Sequence, residues 1–280
     1  MKIFILGSTG MLGSHINWYL KNFYKPILIT KKQLNASKVY TPQEFEKALP
    51  VKPNDVVINC IGILKPQIKS EPHCIKVNGL FPHALANYCN SRGAKVIHFS
   101  SDCVFNGERG SYTEVDIPDA EDIYGISKSM EPVNKAMVLR TSFIGQEFYH
   151  SRSLFSWLVS QEGGAIEGYS NCFWNGVTCI SLAKIVSKIL IENKFKIGLR
   201  HVFSPNTVSK LQLCKDIISV YRLNIKVHPA KAKEISGTKI KGKLDRSLSS
   251  VYSEALMPDY TILDQIKEQK CIKIQKSDLK

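Results

Sequence analysis

Tyr124 and Lys128 stand four residues apart in YGISK, a spacing that places two side chains on one face of a helix. A free tyrosine ionises near pH 10, at about the limit of use for proton transfer at neutrality. A lysine one turn away favours the phenolate, so the pair predicts a lowered phenol pKa. Such a phenol can exchange a proton with the oxygen of a carbonyl or an alcohol. The pair alone decides little, because tyrosine and lysine meet at this spacing by chance in many helices. The same chemistry needs a hydroxyl to hold the reacting oxygen. FSSDCVF supplies one: Ser100 and Ser101 end an apolar run, and Ser101 precedes Tyr124 by 23 residues.

These groups must be carried by strands and helices that bring them together. KIFIL (2–6), KPILIT (25–30), DVVINCIG (55–62), AKVIHFSS (94–101) and AMVLRTS (136–142) read as short, nearly continuous apolar strands. Between them lie helical stretches at 11–22, at 41–49 with a Thr cap and Pro42 at its first position, and at about 74–91. Tyr124 falls near the start of a further helix. Apolar strands alternating with helices predict parallel βαβ units with both sheet faces covered. The expected class is therefore α/β, a Rossmann-type doubly wound parallel sheet with a smaller C-terminal substrate lobe.

GSTGMLG places Gly7, Gly10 and Gly13 directly between the first strand and the first helix. Glycines there let the backbone turn tightly and approach a pyrophosphate, which rests on the helix N-terminus. The spacing is GxxGxxG, weak as a motif but placed where a dinucleotide site requires it. A site for NAD usually has a carboxylate after the second strand for the ribose 2′-hydroxyl. Here Thr30 is followed by Lys31 and Lys32, and the first acidic residue of the chain is Glu44. Two lysines suit a 2′-phosphate, so NADPH is the expected cofactor, with NADH as the alternative. The positive charge of an oxidised nicotinamide would add to that of Lys128 beside the phenol.

Beyond residue 150 the alternation loosens. Stretches 153–160 and 180–193 read as helical and 199–204 as a strand, while 222–246 carries eight Lys and Arg against two acids. The domain reading is 1–150 for an NADP-binding Rossmann domain with return segments from about 170–205, and 151–280 mainly for the substrate-binding lobe. The composition, 44% hydrophobic and 22% charged, is that of a globular chain with a sizeable core. The opening MKIFILGSTG is too short an apolar run for a signal peptide or a span, and no later segment is long enough to cross a bilayer. Eight scattered cysteines without a CxxC pair predict reduced thiols, a cytoplasmic location and no metal. The net charge of +14 points to an anionic partner. No basic stretch interleaved with aromatics singles out nucleic acid, whereas a nucleotide cofactor and a nucleotide-linked substrate would both use the charge.

GxxGxxG, SSD and YxxxK in this order resemble an extended short-chain dehydrogenase/reductase. HFSSDCVFNGERGSYTEVDIPDAEDIYGISK more narrowly resembles the dTDP-4-dehydrorhamnose reductase family, whose pattern runs STDYVFDG, Y-x-E-x-D, YGxSK. DVVINCIG, KVNGLFPHALANYC with Asn78, LRTSFIG and DRSL (245–248) extend the resemblance over nearly the whole chain. Two stretches depart from the pattern. Glu131-Pro132 stands where a Gly-Glu pair usually follows the lysine, putting a proline in or near the first turns of that helix. GYSNCFWNGVT (168–178) replaces a DQxGxPT-like stretch.

The resemblance implies residues. Ser101 takes the place of a catalytic threonine, Tyr124 is the general acid and Lys128 its partner. The cofactor set is Gly7, Thr9, Gly10, Met11, Leu12 and Gly13 at the first turn, and Thr30, Lys31 and Lys32 after the second strand. Cys60, Ile61 and Gly62 follow the third strand, with Ser100, Tyr124 and Lys128 beyond. Asp102, Val104, Trp174, Asn175 and Arg246 are the expected substrate contacts. The implied reaction is reduction of the C4 ketone of a nucleotide-diphosphate 4-keto-6-deoxy sugar. dTDP-4-dehydrorhamnose and UDP-linked 2-acetamido-2,6-dideoxy-4-ketohexoses fit equally well. A homodimer is compatible with the reading, and neither a membrane nor a specific nucleic acid is a partner. The alternative is a catalytically idle subunit of the same fold, like the regulatory subunit of methionine adenosyltransferase.

Overall fold

Ten elements build the first half of the chain: β1 (Ile3–Leu6), α1 (Met11–Leu20), β2 (Ile27–Ile29), α2 (Pro42–Ala48), β3 (Val56–Asn59), α3 (Glu71–Cys74), α4 (Phe81–Ser91), β4 (Lys95–Ser101), α5 (Ile123–Ser129) and β5 (Met137–Thr141). They are taken from a computed structural model that describes every residue except 236, 237, 273 and 280. The strands are parallel, with β1 between β2 and β3, and β4 and β5 following beyond β3. Alternation along each strand fills two apolar layers. Ile3, Ile5, Ile58, Ile97 and Leu139 face α1, whereas Phe4, Leu6, Val57, Val96 and Val138 face Phe45 of α2 and Phe81 and Leu85 of α4. The chain leaves β1 for one side and returns for β3 on the other. The crevice of an open sheet lies at such a switch point, outside the carboxyl ends of the strands.

Local signals hold where they are strongest. Thr41 and Glu44 form a reciprocal capping box at α2, with Pro42 inside its first turn. The helix expected over 74–91 is instead broken by a π-helical stretch, Ile75–Leu80, between α3 and α4. Pro82 has no N–H to offer the carbonyl of Asn78 four residues back, so the regular ladder cannot run through. The Asn78 side chain meanwhile binds both the N–H and the carbonyl of Ile63.

The second half supplies β6 (Phe143–Ile144), α6 (Leu154–Val159), β7 (Ala165–Tyr169), β8 (Cys172–Trp174), β9 (Val177–Thr178), α7 (Cys179–Ile191) and β10 (Gly198–His201). It continues with β11 (Val208–Ser209), α8 (Lys210–Tyr221), β12 (Lys226–Ala230), β13 (Glu234–Ile235), β14 (Thr238–Lys239), β15 (Leu244–Asp245) and α9 (Ile262–Cys271). β10 pairs in parallel with β5 and completes a six-stranded sheet, β10-β5-β4-β3-β1-β2. Residues of α7 pack with α1 on one face, so the sheet is covered on both sides. This is the doubly wound α/β fold that the strand pattern predicts. The remaining elements form a smaller lobe around Ile144, Phe155, Leu158, Trp174, Leu213, Ile217 and Ile266. Of the basic stretch 222–246, residues 236 and 237 lie outside the described residues. Among the described residues no helix is long and apolar enough to cross a membrane.

Candidate active site

The glycine turn follows β1 at the switch point. Gly7 has φ +71°, a left-handed conformation, and its N–H donates to the Ile29 carbonyl. A Cβ on Gly7 would stand 3.1 Å from the Cys60 carbonyl, and one on Gly13 only 2.4 Å from the Gly7 oxygen. The glycines thus let α1 start directly against the turn and beside the end of β3. Thr9 is exposed, Met11 is half-buried, and Leu12 is buried in the layer beneath α1. Thr30 turns its N–H and hydroxyl to Gln33 Oε1, and Lys31 and Lys32 are exposed just beyond. Gly62 is exposed after β3, and a Cβ there would make only ordinary contacts, 3.7 Å from Asn78 Oδ1 and 4.0 Å from Lys128 Nζ. A bare backbone cradle, a helix N-terminus and two cations in place of a carboxylate are residues that fit a phosphorylated dinucleotide.

Next along the sheet, β4 delivers Ser101, and Asp122 caps the helix that carries Tyr124. Asp122 Oδ1 accepts from the N–H groups of Tyr124 and Gly125, each at 3.1 Å. Ser101 stands beside the Tyr124 phenol; its hydroxyl donates to Asp102 Oδ1 at 3.3 Å, and its Oγ accepts from Cys103 N–H at 3.1 Å. Lys128 is buried one turn along and donates to the Phe99 carbonyl at 2.6 Å. Burial pushes its pKa down to about 8. The sequence predicts a lowered phenol pKa where the lysine and an oxidised nicotinamide act together; the protein's own groups act in the other direction. Burial raises that of Tyr124, nearby Cys103 and Asp102 add to the rise, and Ser101 opposes it only in part. The phenol is held protonated, as a general acid must be. Ser100 does not join this group: it faces the opposite side of β4, and its hydroxyl donates to the Lys128 carbonyl at 3.0 Å. The proline-bearing departure is resolved too, because α5 ends at Ser129 and Pro132 lies past it.

Glu131, from that same departure, is buried and pairs bidentately with Arg140 of β5, at 3.0 and 2.7 Å. Arg140 also meets His201 Nε2 at 3.2 Å and lies over the Phe105 ring. The backbone N–H of His201 donates to Glu114, which in turn accepts from Ser250 and Val251. This network ties the loop after β4 and the segment after β15 to the sheet.

Beyond Ser101 lies a cavity of about 190 Å³ between β4, the loop after β3 and the smaller lobe. Asp102, Trp174 and Arg246, three of the residues expected to contact substrate, are on its wall. Burial raises the pKa of Asp102, against the pull of Arg246 and Lys210. Trp174 is nearly fully buried, and its indole N–H donates to Ser142 Oγ at 2.8 Å, so it offers the cavity a ring edge and no donor. Two other expected contacts are placed elsewhere. Val104 is buried with Phe105, Tyr112 and Leu248, away from the cavity. Asn175 spends its amide on the N–H and carbonyl of Leu248, at 2.8 and 2.7 Å, and braces the chain after Arg246. Lys65, Cys103 and Lys210 are on the cavity wall and were not foreseen. A single lysine after an apolar strand, or at a helix start, carries no pattern that separates it from a solvated one.

The sequence profile of the RmlD substrate binding domain matches residues 1–259. A probable low-salt glycan biosynthesis reductase of Haloferax volcanii is 30% identical over 161 residues, 51% of this chain and 54% of that protein. The dTDP-4-dehydrorhamnose reductase of Mycobacterium tuberculosis is 28% identical over 157 residues, 51% of this chain and 50% of its own. The chain thus spans about half the length of these relatives. A crystal structure of dTDP-4-dehydrorhamnose reductase from Bacillus anthracis in complex with NADP aligns with a TM-score of 0.81 at 20% identity, covering 97% of this chain and 99% of that one. At that identity the likeness is one of fold.

Proposed function

The chain belongs to the RmlD substrate binding domain family, and on that premise we propose that it reduces the C4 ketone of a UDP- or dTDP-linked 4-keto-6-deoxy sugar with NADPH. The observation that carries the reading is the Tyr124 phenol beside Ser101 at the end of β4, with buried Lys128 one turn along and the glycine turn at the neighbouring switch point. NADPH, when bound, supplies the hydride to C4. The protein supplies the rest. The N–H groups at the Gly7, Gly10 and Gly13 turn receive the pyrophosphate, and Lys31 and Lys32 favour a 2′-phosphate. Ser101 holds the ketone oxygen, and Tyr124 gives its proton to that oxygen as negative charge develops there. Lys128, charged below a pH of about 8, stabilises the phenolate left behind.

The catalytic set is accordingly Ser101, Tyr124 and Lys128, and Asp102, Trp174 and Arg246 bound the sugar side. The proposed organisation is residues 1–150, with α7 and β10 among the return segments from 170–205, as cofactor domain, and the rest of 151–280 as substrate lobe. A cytoplasmic location belongs to the same reading.

The test is oxidation of NADPH, followed by its absorbance, with UDP- and dTDP-linked 4-keto-6-deoxy sugars in parallel and Tyr124→Phe as control. Turnover of one class, lost in the variant, supports the reading and fixes the nucleotide. No turnover of either, with NADPH bound, sinks it in favour of a non-catalytic subunit.

A further inference from the structure

Three cations from three separate segments converge on the cavity beyond Ser101, and only Arg246 belongs to a motif. Lys65 enters from the loop after β3. Its Nζ pairs with Asp122 Oδ2 at 2.8 Å and lies 5.9 Å from the centre of the Tyr124 ring. Lys210 enters from the first turn of α8, with its ammonium 5.2 Å from the Trp174 ring. Arg246 follows β15 and is fixed by a 2.7 Å bond from Nε to the Phe105 carbonyl. Among the described residues Asp102 is the single carboxylate on the wall. An excess of positive charge around a partly enclosed, partly apolar cavity is costly unless an anion compensates it.

We propose that Lys65 and Lys210 complete, with Arg246, a seat for the diphosphate of the substrate, and so act as substrate-positioning residues. The proposal rests on the nucleotide-sugar reading above. The seat is distinct from the glycine turn, where the cofactor pyrophosphate belongs: it lies on the far side of Ser101, next to the phenol. Asp122 offsets Lys65 and Asp102 faces Arg246 and Lys210, so the three cations still outnumber the carboxylates around them, and a diphosphate brings the anionic oxygens that such cations bind. Because Asp122 holds Lys65 and also caps the helix of Tyr124, anion and acid are registered against one carboxylate. The sugar attached to a seated diphosphate can then reach Tyr124 without a contact to every hydroxyl, which suits a site selecting the nucleotide-linked form over the free sugar.

The experiment is calorimetric titration of UDP and of dTDP into the NADPH-loaded full chain, for the native protein, Lys65→Met, Lys210→Met and Lys65→Arg. Each Met variant is expected to weaken nucleoside-diphosphate binding about tenfold, with the NADPH affinity unchanged and Lys65→Arg retaining most of the native affinity. Native-like binding of UDP and dTDP by both Met variants overturns the seat, as does failure of the native chain to bind either. Should Lys210→Met not fold, judged by its melting temperature, Lys65→Met at the accessible rim decides alone. Lysine-dependent binding without turnover of any 4-keto sugar leaves the seat standing and removes the reductase. Turnover with an unchanged KM in the Met variants does the reverse.

Discussion

At the end of β1 the chain turns through Gly7, Gly10 and Gly13 within seven residues, whereas the cavity beyond Ser101 is walled by segments that run from Lys65 to Arg246. The first region works with backbone. Its specificity lies in the absence of side chains, since a Cβ on Gly13 would collide with the turn itself. The second works with long charged side chains whose heads meet only after the smaller lobe has packed on the sheet. A backbone cradle can be made by one local stretch because φ, ψ and steric exclusion act between neighbours in sequence. A ring of cations cannot, because like charges repel and must be held apart by separate rigid elements. The buried Arg140–Glu131 pair belongs to the second kind of construction, tying the segment after α5 to β5, as Glu114 ties the loop after β4 to β10.

If this contrast is right, substitutions should separate the two regions. Tyr124→Phe, at their junction, should lower kcat about a thousandfold, roughly 4 kcal/mol, because it removes the proton and nothing else. NADPH affinity, measured by fluorescence titration, should stay as in the native protein. Glu131→Ala leaves Arg140 buried without its carboxylate and should cost about 3 kcal/mol of stability, read from urea unfolding. A loss no larger than that of an exposed pair would show that water reaches Arg140. Gly13→Ala forces a methyl group against the Gly7 carbonyl and should raise the NADPH Kd about thirtyfold, roughly 2 kcal/mol, with UDP affinity unchanged. Weakening of both ligands alike would erase the distinction between the regions. Replacing Lys31 and Lys32 together by alanine should cost about fivefold in NADPH affinity, close to 1 kcal/mol, and leave NADH affinity alone. The smallest effect is one of pH. Lys128 is charged below about 8 and neutral above, so kcat should fall as pH rises through that value, to about half at the midpoint. In Lys128→Arg the fall should move to higher pH, and a profile that stays put would assign it to another group.

The parts of the fold legible in the sequence are those fixed by neighbours in the chain. Apolar runs such as VVIN and KVIHFSS specify parallel strands because both faces are buried. The glycine turn, the Thr41 cap and the Tyr124–Lys128 spacing likewise need only a few adjacent residues to be recognised. The sequence does not show placement where distant packing outweighs local pattern. Val104 lies two residues from Asp102, yet one lines the cavity and the other is walled in by Tyr112 and Leu248. Asn175 sits next to Trp174, yet its amide is taken by Leu248, 73 residues away. The direction of the Tyr124 shift turns on burial, which sums over many segments, and not on the single lysine that the spacing displays. What the sequence by itself determined is the sheet, the glycine turn and the pairing of Tyr124 with Lys128 on one helix, since steric and periodic constraints within about ten residues suffice for each. Only the tertiary structure decided which charges gather at the cavity beside that phenol, because Lys65, Lys210 and Arg246 meet through the packing of the lobe, and no local rule encodes a meeting across such separations.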